Sequence, residues 1–144
     1  MTDPRWRDAA PHNTLIRFSW IGPATAPDAH TEYIVEITGG RAAARVGGYG
    51  TVKGDGTARP GTTSTIVSET EWNTMTDRLA DLPAQADGAD GCVGGSTYSV
   101  TVTVSGRTIV DRSYYACGPA GAAAAAGYRA VLEPLAIRLG LPDR

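Results

Sequence analysis

The sequence is short of most groups that carry chemistry. Its 144 residues include two His, two Cys, two Met and one Phe, and Lys53 is its single lysine. No apolar run approaches the ~20 residues that span a bilayer, so no membrane partner is expected. The arginines are scattered and the net charge is -2, which leaves no basic stripe for phosphates and argues against nucleic acid. The two His and two Cys lie far apart in sequence and fall short of a four-ligand zinc set; no metal or other cofactor is expected. Met1 to Asn13 is polar, with two Pro and no apolar h-region, unlike a secretory signal. The expected compartment is therefore cytoplasmic if Met1 is the native start, or exported if a signal has been removed.

Leu, Ile, Val and Phe make up only 25 residues. With so little net charge, that fraction reads as a thin core rather than disorder, and three Trp and six Tyr add buried area. One domain over 15–140 is predicted, with a flexible N-terminal tail, 1–14, and a C-terminal tail, 141–144.

Alternation predicts a first strand over Leu15 to Ile21 and a second over Thr31 to Thr38. Gly39-Gly40 then supplies a tight hairpin turn, which sets Ile37 opposite Ala42, Val35 opposite Ala44 and Tyr33 opposite Val46. Tyr49 and Val52 extend the third strand as an irregular edge, and Lys53 to Thr65 reads as a mobile exposed loop. Ser68 and Glu71 form a capping box, and Trp72, Met75, Leu79 and Leu82 give an apolar stripe that Pro83 ends. Tyr98, Val100, Val102 and Val104 alternate with polar residues before a turn at Ser105-Gly106 and a return over Arg107 to Ala116. The register of this hairpin stays open: a two-residue turn sets Val102 opposite Ile109, a three-residue turn opposite Val110. After Pro119 a helix carries Tyr128, Val131, Leu132, Leu135 and Leu139 on one face, with Pro134 predicting a kink or a division into two helices. The elements add up to an α+β fold: a four- to five-stranded antiparallel sheet of two hairpins, with one or two helices packed on one face.

Cys92 and Cys117 flank the second hairpin almost symmetrically, which points to a disulfide between them, with two free thiols as the alternative. Candidate catalytic sets are weak. Ser19, His30 and Asp28 can be drawn as a triad, but no nucleophile elbow occurs, and His30 reads as a solvated loop histidine. Gly48, Gly50 and Gly54 around Lys53 lack the G-K-[ST] of a phosphate loop, and Asp87 and Asp90 lack calcium-loop spacing. Glu32 and Glu36, beside Arg41 and Arg45, read as a surface ion network. No catalytic residue is assigned. Binding remains, and the exposed Gly47 to Thr65 segment offers Tyr49, Lys53, Asp55 and Arg59 as contact residues.

Leu15-Ile16-Arg17-Phe18-Ser19, the helix Glu71 to Leu82, the linker Asp87-Gly88-Ala89-Asp90-Gly91 leading into Tyr98 to Val104, and the closing Leu132 to Leu139 resemble the emfourin-like domains. These small bacterial proteins are named for an inhibitor of thermolysin-like metallopeptidases in which a helix packs on an antiparallel sheet. The likeness implies a non-enzymatic protein whose partner is another protein, a peptidase in the most specific form. The chain departs from that pattern in Gly47 to Thr65, in Cys92 to Gly95 and in its alanine-rich stretch. A vaguer similarity is to Streptomyces subtilisin inhibitors, small α+β proteins with a disulfide-held hairpin. The alternatives are an immunity or assembly-type interaction protein, and a small hydrolase.

Overall fold

A computed structural model describes residues 13–54, 61–83 and 94–142. The elements are β1 (Thr14–Ile21), β2 (Glu32–Thr38), β3 (Arg41–Gly47), β4 (Gly61–Ile66), α1 (Glu69–Ala80), β5 (Ser96–Val104), β6 (Arg107–Ala116) and α2 (Ala122–Leu139), with a short 3-10 turn, Pro119–Gly121, leading into α2. The strands form one antiparallel sheet in the order β4-β3-β2-β1-β5-β6. The fold is α+β as expected, and the described residues form a sheet of six strands instead of four or five.

The Gly39-Gly40 hairpin has the predicted register, Tyr33 with Val46, Val35 with Ala44 and Ile37 with Ala42. Both glycines sit at positive φ, 60° and 77°, as a two-residue turn matched to strand twist requires. The β5–β6 hairpin combines both open registers. Its turn has two residues, so Val104 faces Arg107 and Thr103 faces Thr108, but a bulge follows and Val102 faces Val110. The extra residue, Ile109, shifts the rest of β6 so that Val110 reaches the core.

The extra strand is β4, which corrects the loop expected over Lys53 to Thr65. It reads GTTSTI, and five of its six residues are exposed, so no apolar alternation marks it. Its pairing with β3 is what makes it a strand. Two tail assignments also change: Thr14 is buried in β1, and Leu141 packs into the core, its N–H on the Ala136 carbonyl.

Ile16, Phe18 and Trp20, with Tyr33, Val35 and Ile37, face the helices, and Trp72, Met75 and Leu79 of α1 close the core with Tyr128, Leu132 and Leu135 of α2. The capping box is present: Glu71 N–H donates to Ser68 Oγ and Ser68 N–H to Glu71 Oε1. Arg138 grips the same carboxylate with both terminal nitrogens, at 2.8 and 3.0 Å. Its hydrogen bonds, helped by the Ser68 N–H, lower the Glu71 pKa from 4.5 to about 2. A lowered folded-state pKa gives stability present above pH 4.5 and lost as pH falls toward about 2. The effect is modest because solvent reaches both side chains. Chemical denaturation across that range is expected to show a larger acid loss in the parent than in Arg138→Ala, which keeps only the Ser68 bonds to Glu71.

Pro134 does not divide α2, which runs unbroken from Ala122 to Leu139. A proline there leaves the carbonyl four residues earlier, that of Ala130, without its helical donor. Arg78 of α1 supplies one: its Nη1 donates to the Ala130 oxygen at 2.5 Å. The orphan created by Pro134 thus becomes a tie between the helices. Arg78→Met is expected to cost about 1–3 kcal/mol, and Pro134→Ala, which restores the helical donor, to recover most of it; thermal melts of the single and double variants check this.

Candidate functional site

The chemistry-bearing residues gather at one end of the sheet, where the β1–β2 connection, 22–31, meets the turn after β3, 48–54. Gly22 N–H closes the first loop on the Thr31 carbonyl at 3.0 Å. A Cβ at Gly22 would lie 2.7 Å from that oxygen and 2.8 Å from the Trp20 ring, so only glycine fits without movement. Between these ends the chain reads Pro-Ala-Thr-Ala-Pro-Asp-Ala, every residue from Pro23 to Ala29 exposed. The N–H groups of Ala29 and His30 both return to the Ala26 carbonyl, making a turn in which Pro27 already restricts φ.

His30 is buried, its side chain 1% exposed, which corrects the expectation of a solvated loop histidine. Its Nδ1 lies 2.9 Å from the Pro23 carbonyl oxygen, and its Nε2 lies 2.7 Å from Glu32 Oε2. The carbonyl can only accept, so Nδ1 donates, and a second proton lies between Nε2 and Oε2. Glu32 is likewise buried, and its Oε1 accepts the Val52 N–H at 3.1 Å. The carboxylate therefore belongs to this cluster and not to the surface ion network expected with Arg41 and Arg45. Glu36 does face outward, but its ion partner is Arg17 of β1, at 3.9 Å.

Tyr49 joins the loops. Its ring stacks on His30 with centroids 3.6 Å apart and planes 9° apart. Its hydroxyl donates to the Thr25 carbonyl at 2.7 Å and accepts the Thr25 N–H at 3.0 Å. Thr51 Oγ1 and N–H both donate to the Gly48 carbonyl, and Gly54 N–H returns to Gly50. Tyr49 and Val52 are thus a clasp beyond β3, which ends at Gly47, and do not extend the strand.

Of the four predicted contact residues, Tyr49 is half-exposed and committed to this clasp, and Lys53 lies exposed in the neighbouring turn. Asp55 and Arg59 fall outside the described residues, as do Asp87 and Asp90. Cys92, the other half of the disulfide expected with Cys117, also lies outside the described residues. The triad drawn from Ser19, His30 and Asp28 is not assembled, because the two ring nitrogens of His30 are taken by Pro23 and Glu32. Among the described residues no group of three or more His, Cys, Asp or Glu is placed to hold a metal.

Away from the loops a concavity of about 330 Å³ runs beside α2 and is lined by Tyr33, Leu132, Ala136 and Leu141 with Arg129 and Glu133. Its floor is apolar and suits a side chain of a partner better than a polar substrate.

No model of a known protein family matches the chain, and no curated protein matches it.

Proposed function

We propose that this chain is a non-enzymatic protein-binding domain whose recognition surface is the paired loops 22–31 and 48–54, and that its target is a peptidase. The clasp of Tyr49 on both backbone groups of Thr25 carries the reading, because it holds the exposed loop in one shape before any partner arrives. A loop already ordered loses less conformational freedom on binding, so more of its contact energy appears as affinity. Ala24, Ala26 and Ala29 keep the side chains of this exposed loop short, which lets the surface of a partner approach it closely. The resemblance to emfourin-like domains points the same way. A Cys92–Cys117 disulfide belongs to the same proposal and predicts an intact mass that rises by two hydrogens on reduction.

Residual activity of a thermolysin-like and a subtilisin-like peptidase, each measured with excess protein, tests the proposal. Inhibition of at least one class is expected. Tyr49→Phe, which keeps the stack but removes both bonds to Thr25, is expected to weaken it about tenfold with the fold unchanged. Undiminished rates in both classes count against peptidase inhibition. Binding to a toxin or an assembly subunit instead, weakened by the same variant, would transfer the surface to that partner.

A further inference from the structure

β4 is an edge strand, and which of its backbone groups are free follows from one hydrogen bond. Val67 N–H donates to the Gly40 carbonyl at 2.8 Å, so in the β3–β4 register the pair 40/67 is a hydrogen-bonded one. Antiparallel pairs alternate, which makes 65/42, 63/44 and 61/46 hydrogen-bonded as well. Thr62, Ser64 and Ile66 therefore turn their N–H and C=O groups away from β3, and among the described residues no strand lies on that side.

One end of this edge is closed. Arg138 Nη2 donates to the Ile66 carbonyl at 3.1 Å and its Nε to Thr65 Oγ1 at 3.0 Å. On the other side β4 begins at Gly61. The open window is thus centred on Thr63, with Thr62 and Ser64 on either side. It has no charged residue, none of the devices that usually keep an edge from pairing, and its side chains are small hydroxyls.

From this edge we infer that β4 pairs with β4 of a second copy of the chain, antiparallel about a twofold axis through Thr63, joining two sheets into one. In that register Thr62 faces Ser64 of the other copy and the reverse, and each pair exchanges two bonds, about four across the interface. Hydroxyl faces hydroxyl, a favourable cross-strand pair. The strand is complementary to itself at each position counted, which an arbitrary partner strand need not be. The contact is short, and the association is correspondingly weak and reversible.

Sedimentation velocity on the full chain from about 10 μM to about 1 mM tests this. The parent is expected to shift from monomer toward dimer, with the Thr62 and Ser64 amides gaining exchange protection as it does. Ser64→Pro removes a donor that β3 does not use, so the variant is expected to melt like the parent and stay monomeric over the whole range. A parent that is monomeric throughout overturns the inference, as does a Ser64→Pro variant that dimerises equally well. A monomer whose Thr62 and Ser64 amides become protected only when an unrelated extended peptide is added also overturns it, and assigns the edge to a foreign strand.

Discussion

His30→Ala is expected to destabilise the protein by about 3–5 kcal/mol, because it leaves the Glu32 carboxylate buried with, among the described residues, the Val52 N–H as its one remaining partner. It also removes the surface on which Tyr49 stacks and the donor to the Pro23 carbonyl, so the loss is concentrated in the loops. Glu32→Gln is the informative contrast. A glutamine carbonyl still accepts from Val52, and its amide N–H₂ donates to Nε2 of a neutral imidazole that keeps its proton on Nδ1. That variant is expected to cost about 1 kcal/mol. Urea denaturation of both, with amide exchange to locate the change, checks the pair. Equal losses would mean that burial volume, and not the shared proton, holds the loops.

Phe18→Ala is expected to cost about 3–5 kcal/mol by a different route. Phe18 is fully buried in β1, the strand between β2 and β5, and its ring meets Tyr98 and Tyr128 edge-on at 6.5 and 6.3 Å. Truncation opens a void beside two rings, Tyr98 and Tyr128, that cannot collapse without moving the strand, and it removes two aromatic contacts as well. Tyr128 is fixed by its hydroxyl, which donates to the Pro83 carbonyl at 2.9 Å, and burial raises its pKa to about 12. The urea midpoint is expected to fall with an unchanged slope. Ile137→Ala, at a position 79% exposed, is expected to change stability by less than about 0.5 kcal/mol. The two large effects separate by location: Phe18→Ala weakens every element, whereas His30→Ala loosens the loops first.

Much of the fold was legible because local signals agreed. Gly39-Gly40 fixed a register that alternation in β2 supports independently, and Ser68 and Glu71 with the stripe from Trp72 fixed α1. What escaped was whatever depends on a neighbour. β4 has no apolar face and exists through its ladder with β3. The donor for the carbonyl that Pro134 leaves free in α2 is Arg78, fifty-two residues away. The bulge at Ile109 is set by the need to keep Val110 inward, which turn length alone does not show.

The loop cluster was half legible. His30 and Glu32 are two residues apart and so share a side of an extended chain. Continuing the Gly39-Gly40 register past the strand ends sets position 30 opposite 49, where the structure stacks His30 on Tyr49. That count was available from the sequence, but composition made the segment read as loop and its histidine as solvated. The commitment of Tyr49 to Thr25 was not available, because it depends on how the β1–β2 connection folds back.

Amide hydrogen exchange of the free protein at Val52, Gly22 and Thr25 measures most directly whether the two loops are one preformed surface. All three N–H groups are expected to exchange slowly and together, with Val52 and Thr25 losing protection in Tyr49→Phe or His30→Ala. Exchange at the rates of an open chain in the parent would contradict a preformed surface and, with it, the proposed mode of binding.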